Sequence, residues 1–169
     1  MAKRPAKSET LTIRLDPKTR FMLEFISRVK GQTITTVVER ALVEAASTAT
    51  IETGFGHTDW KAFWDVSEGV RQLRLASTDE VFPTYEEERR FAFARTHEVF
   101  FWDIEGKTKT FNRFNIEVLW PNIDEYISIW DSTKTSDHWA AGRRMKSDLE
   151  DAKIEPPRWP PPSRELIPF

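Results

Sequence analysis

Thr10, Thr12 and Arg14 alternate with Leu11, Ile13 and Leu15 in the stretch TLTIRLDP, residues 10–17. Period 2 marks a half-buried strand, apolar on one face, with two hydroxyls and a guanidinium on the other. Such a face offers donors and acceptors suited to recognition. Other candidates for chemistry are few. His57, His97 and His138 are the three histidines, far apart in sequence, with no H-x-H or H-x₃-H pair. There is no cysteine, so a disulfide framework, a thiolate zinc site and a cysteine nucleophile are excluded. No P-loop, G-x-S-x-G or Rossmann fingerprint occurs. Glu86, Glu87 and Glu88 suit a solvated first helical turn, where they complement the helix dipole. The expectation is a protein that is not an enzyme and has no metal or cofactor.

The alternating stretch needs elements to hold it. A lone strand cannot satisfy its own backbone N–H and C=O groups. Asp16-Pro17 is a strong helix start: Asp suits the N-cap, and Pro is tolerated at the first helical position. Met22, Phe25, Ile26 and Val29 then recur at helical spacing, with Phe21 widening the stripe. Gly31 sits where a left-handed residue would end the helix. Thr33 or Thr35 caps a second helix, whose apolar face is Val37, Val38, Ala41, Leu42 and Ala45. One strand and two short helices are too small to hold a core alone. The economical solution is a twofold dimer in which residues 9–15 of two copies pair antiparallel and the helices interlock beneath them. Leu11, Ile13 and Leu15 then face the shared core, and Thr10, Thr12 and Arg14 face outward.

The segment LTIRLDPKTRFMLEFISRVKGQTITTVVERALVEAA resembles a ribbon-helix-helix domain of the MetJ/Arc/CopG class. The matching features are the alternating strand with Arg14, the Asp-Pro helix start and the Gly31 turn. Thr33-Ile34-Thr35-Thr36-Val37-Val38 takes the place of the usual Ser/Thr-rich second-helix start, and Ala41-Leu42 follows. The resemblance covers about residues 8–48, less than a third of the chain. It implies an intertwined dimer that lays a two-stranded ribbon in the major groove of double-stranded DNA. Carried over residue by residue, Thr10, Thr12 and Arg14 become the base readers. The start of the second helix, near Thr33 and Thr35, would hold a phosphate through its free N–H groups. Lys3, Arg4 and Lys7 form a basic arm suited to backbone phosphates.

Charge and aromatic residues divide the chain in the same place. Residues 1–50 hold nine Lys/Arg against five Asp/Glu, and residues 51–169 hold sixteen against twenty-two. All seven tryptophans and ten of the twelve phenylalanines lie after residue 50. The expected organisation is therefore a DNA-binding and dimerisation domain with its basic arm over 1–48 and a linker over 49–58. An aromatic-rich domain over 59–155 and a Pro-rich tail over 156–169 follow.

In the aromatic part, Asp59 suits the cap of a helix carrying Trp60, Phe63, Trp64, Val70 and Leu73, weakened or split at Gly69. Thr84 and Glu87 form a T-x-x-E capping box before a helix over 85–97. Residues 98–104 read as a buried strand or as a helix extension, which periodicity does not decide. Residues 105–107 are turn-like. Residues 108–120 read as a second and even a third strand, stopped by Pro121. Asn122 and Ser136 are candidate caps for two further helices. Helices, a small sheet and more helices make the expected fold class α+β. The tail, with Pro156, Pro157, Pro160, Pro161 and Pro162, favours polyproline II. It is either loose or a strap over the Trp-rich body of its own chain or a partner.

No apolar h-region follows the first basic residues, and no run approaches the ~20 apolar residues that span a bilayer. A cytoplasmic protein is expected, with no membrane partner. The function expected is a homodimeric, sequence-specific transcriptional regulator, a repressor acting by occlusion, with the second domain serving assembly (a tetramer among the options), effector response or contact with a protein partner. The alternatives are the antitoxin of a toxin–antitoxin pair and an accessory DNA-binding protein of plasmid transfer or partition.

Overall fold

A computed structural model of the chain describes residues 10–54, 56–106 and 108–160. The fold is mixed α and β and divides into two units, residues 1–50 and 51–169.

In the first unit, helix α1 (Pro17–Lys30) starts as its residue types dictate. The Asp16 carboxylate accepts the N–H groups of Lys18 and Thr19 at 2.9 and 3.0 Å, and Pro17 takes the first turn. Gly31 ends the helix in the left-handed region, φ 58° and ψ 37°. The N–H groups of Gly31 and Gln32 close on the carbonyls of Arg28 and Ser27, so the last turn is satisfied before the chain reverses. Helix α2 (Ile34–Thr48) follows, its N-cap Thr33 accepting the N–H of Thr36 at 3.1 Å. The strand expected over 9–15, as half of a ribbon shared by two chains, is not seen in the described part of a single chain. Residues 10–16 have no regular secondary structure and no ladder partner among the described residues. The physical reason is that a strand exists only as a pair, and no described segment of the single chain pairs with this one.

The second unit departs from expectation at its start. The expected linker is instead a hairpin of β1 (Thr50–Thr53) and β2 (Gly56–Asp59). Asp59 caps only a single 3₁₀ turn, Trp60–Ala62. The helix proper, α3 (Glu68–Ala76), begins after Ser67, so the anticipated break falls ahead of Gly69 rather than at it. Helix α4 (Tyr85–Thr96) carries both halves of its capping box: Thr84 accepts the Glu87 N–H, and Glu87 accepts the Thr84 N–H at 2.8 Å. Residues 98–105 adopt both alternatives in succession, a helical turn α5 (Glu98–Phe101) and then strand β3 (Trp102–Glu105). Gly106 turns the chain at φ 60°, and β4 (Thr108–Phe111) pairs antiparallel with β3, Trp102 opposite Phe111 and Glu105 opposite Thr108.

No third strand follows. Residues 113–119 form helix α6 (Arg113–Leu119), because Asn112 accepts the Asn115 N–H at 3.0 Å and starts a helix where β3 has no further residues to pair. Helix α7 (Ile123–Thr133) follows Asn122, whose side chain makes no cap bond. Helix α8 (Ala140–Asp151) starts later than Ser136 allows. Asp137 holds the Trp139 N–H at 3.3 Å instead.

Helices α3 to α8 close one core, with Leu73, Phe100, Ile116, Tyr126, Met145 and Leu149 among its fully buried members. Gly69 makes a close approach in it. A Cβ there would stand 2.5 Å from Ile116 Cγ2 and 2.7 Å from Trp120 Cγ, so the third and sixth helices meet only because the side chain is missing. Among the described residues no helix is long and apolar enough to cross a membrane.

Candidate nucleic-acid interface

The residues expected to read bases lie together on one short segment. Thr10, Thr12 and Arg14 are all exposed, on the run that leads into Asp16. They alternate with Leu11, Ile13 and Leu15, which are 79%, 59% and 44% exposed. Arg14, Lys18, Arg28, Lys30 and Arg40 form no salt bridge among the described residues, whereas Arg20 pairs with Glu24 at 3.1 Å. These five cations are exposed, and so are Glu39 and Glu44 of the same unit.

Thr33 and Thr35 open α2 on the far side of the Gly31 turn, both exposed. Thr33 is committed as a cap, its hydroxyl shared between the Thr36 N–H and the Thr36 hydroxyl at 2.9 Å. The N–H groups of Ile34 and Thr35 have no hydrogen-bond acceptor among the described residues. Free N–H groups at the positive end of a fifteen-residue helix suit an anion. No hydrogen bond links this pair of threonines to the segment holding Arg14 among the described residues. Lys3, Arg4 and Lys7 lie outside the described residues.

The first unit has almost no interior of its own. Val37 is its single buried residue among those described. Phe21, Met22, Phe25 and Val29 on α1, and Ile34, Leu42 and Val43 on α2, are all exposed. The predicted apolar face of α2 is therefore covered only at its first turns, through Val37 and the half-buried Val38.

Two polar arrangements in the second unit have no counterpart in the sequence pattern. Asp65 is 7% exposed and is gripped by Arg113, whose guanidinium donates to it at 2.7 Å, by Arg74 at 3.3 Å and by the Ser67 N–H at 3.0 Å. Hydrogen bonding to Arg113 is the main reason its carboxyl is held down at about 2. The clasp fixes the loop ahead of α3, with Arg71 and Arg74 donating to the carbonyls of Asp65 and Trp64 at 2.7 and 2.9 Å. Forty-eight residues separate Asp65 from Arg113, beyond the reach of any local pattern.

The second arrangement surrounds His97. This side chain is buried, and burial holds its pKa down at about 4. Its Nδ1 lies 3.1 Å from the Phe93 carbonyl, and its Nε2 has no hydrogen-bond partner among the described residues. Trp130 stands between His97 and His138, with ring centres 5.0 and 4.7 Å away. Two histidines far apart in sequence thus share one neighbour, while His57 lies on the β2 hairpin strand. Among the described residues no group of three or more His, Asp or Glu side chains is placed to hold a metal ion. Trp159 of the tail covers the site, as one of the two tail readings anticipates. Gly142, isolated within the α8 pattern, is the sequence signal for this close approach.

Compared with protein-family models, with curated proteins and with solved structures, the chain matches none of them.

Proposed function

We propose that this chain is a homodimeric, sequence-specific DNA-binding regulator that represses transcription by occluding DNA, with residues 10–15 of two copies forming the reading ribbon. The observation that carries the reading is the state of the first unit. Its two helices are capped as their residues dictate, yet among the described residues only Val37 is buried, and the alternating Leu11, Ile13 and Leu15 stand in solvent beside an exposed α1 stripe. A helix pair without a core is stable only when a second surface covers it. A second copy supplies that surface and, with it, the ladder partner that the segment 10–16 lacks. Pairing the segments puts Thr10, Thr12 and Arg14 on one outward face, where Arg can bond a guanine edge in bidentate fashion and Thr can touch a thymine methyl.

The closed core of the second unit favours a regulator over an antitoxin. A toxin-binding segment that folds only on its partner has little interior, whereas this unit buries residues from six helices. It serves assembly, effector response or partner contact.

The test is binding of the full chain and of Arg14→Ala to the DNA upstream of its own gene, each at several salt concentrations. Loss of a bidentate contact is worth about 1–3 kcal/mol per base pair read, so the specific affinity falls at least tenfold in Arg14→Ala while weak, salt-sensitive binding remains. Equal binding by both chains, or affinity indifferent to salt, overturns the reading.

A further inference from the structure

A cleft of about 360 Å³ lies in the second unit among α3, α4, α6 and α7. That volume falls within the roughly 300–1,000 Å³ usual for small-molecule sites. One wall follows from Gly69. The missing side chain there lets α3 rest on Ile116 and Trp120, and all three residues line the cleft beside Pro121 and Ile123.

One buried polar group at this apolar wall lacks a partner. Ser67 is 4% exposed and stands at the N-cap of α3, yet its side chain makes no cap bond. Its N–H goes to Asp65 at 3.0 Å, and its hydroxyl makes no hydrogen bond among the described residues. A buried hydroxyl without a protein partner is uncommon and calls for a cause. Among the described residues, the sealed side-chain polar atoms without a partner are Gln32 Oε1 and His97 Nε2. The Ser67 oxygen is therefore not sealed, and it meets open space at the cleft it lines.

Charge sets the ligand class. Four ionisable side chains line the cleft, Glu68, Arg90, Glu117 and Asp124. The Arg90 guanidinium is committed, to Asp124 at 2.7 and 3.0 Å and to the Gln72 side-chain oxygen at 3.0 Å. Glu68 accepts the Gln72 amide at 3.0 Å, and neither Glu68 nor Glu117 forms a salt bridge among the described residues. Arg113, one turn before Glu117, donates to Asp65 instead. Both α3 and α7 begin at the cleft, and their dipoles alone would favour an anion. Glu68 and Asp124 in those first turns already offset them. An anion here meets two carboxylates outside any salt bridge; a cation is attracted by both.

We propose that this cleft binds a small organic cation, an ammonium or guanidinium group on a short apolar body. The body lies against Ile116 and Trp120, the charged head faces Glu68 and Glu117, and the Ser67 hydroxyl gains the partner it lacks. This gives effector response a ligand class. It requires nothing of the first unit, so it stands or falls independently of DNA binding.

The test is an NMR titration of the isotope-labelled full chain with phenethylamine near neutral pH, where the amine is charged. Phenethyl alcohol, with the same body and a neutral head, is the control. With the amine, the Trp120 indole N–H and the amides of Ser67, Glu68 and Gly69 are expected to shift to saturation at millimolar concentration. The alcohol should bind about fivefold more weakly, the worth of an exposed charge pair. Glu117 is exposed, so Glu117→Gln keeps the core intact; it should weaken the amine about threefold and leave the alcohol unchanged. No saturable shift, saturation elsewhere in the chain, equal binding of amine and alcohol, or indifference to Glu117→Gln overturns the site.

Discussion

The two units answer the same physical demand in opposite ways. Among the described residues, the second unit buries its aromatic and aliphatic side chains among six helices, whereas the first buries Val37 and leaves both helices with apolar faces in solvent. Local structure is equally well specified in both. The Asp16, Thr33 and Gly31 caps are as complete as the Thr84–Glu87 capping box. What separates them is interior. Correct caps contribute about 1 kcal/mol each, and a closed core contributes far more, so one unit has its interior within a single chain and the other does not.

The sharpest way to break this comparison is to place a charge on the face assigned to the shared interior. Ile13→Asp is expected to cost about 4 kcal/mol in the first unit, through lost apolar burial and a desolvated carboxylate. Sedimentation should then show monomers, and circular dichroism should lose the helical signal of α1 and α2 while the second unit melts as before. An unchanged dimer would place the contact elsewhere.

The next effect belongs to the second unit and is read by pH. His97 has its folded-state pKa lowered to about 4, below the ordinary 6.5, because burial disfavours the charged ring. The unfolded chain therefore binds the extra proton first. Stability from this group is full above pH 6.5 and is lost as pH falls toward 4, by about 3 kcal/mol at most. Urea unfolding followed at several pH values checks the slope, and His97→Leu should flatten it.

A smaller loss tests the clasp. Asp65→Ala leaves Arg113 and Arg74 without their carboxylate and should cost roughly 2 kcal/mol, with α3 and α6 losing hydrogen-exchange protection first. Asp65→Asn, which keeps the Ser67 N–H contact, should cost less. The smallest effect sharpens the likeness between the units. Thr33→Ala and Thr84→Ala each remove one cap and should each cost about 1 kcal/mol. If the proposed dimer supplies the first unit's interior, the loss there should vary with protein concentration; in the second it should not.

The sequence by itself determined some of the helix starts and stops, though Asp59 and Ser136 did not open the helices expected of them. Asp16-Pro17, Gly31, Thr33 and the Thr84–Glu87 pair act within one turn of their own positions, so their meaning can be read from neighbours. The partition of the chain near residue 50 and the α+β class were legible for a similar reason, through composition. Only the tertiary structure decided that residues 50–59 pair as a hairpin, that Arg113–Leu119 is a helix rather than a third strand, and that Asp65 meets Arg113. It also placed Trp159 on Gly142 beside His97. Each of these depends on which distant segment lies alongside. Short apolar runs fit strand and helix alike until a neighbour supplies hydrogen bonds or a packing face, and no local pattern names that neighbour.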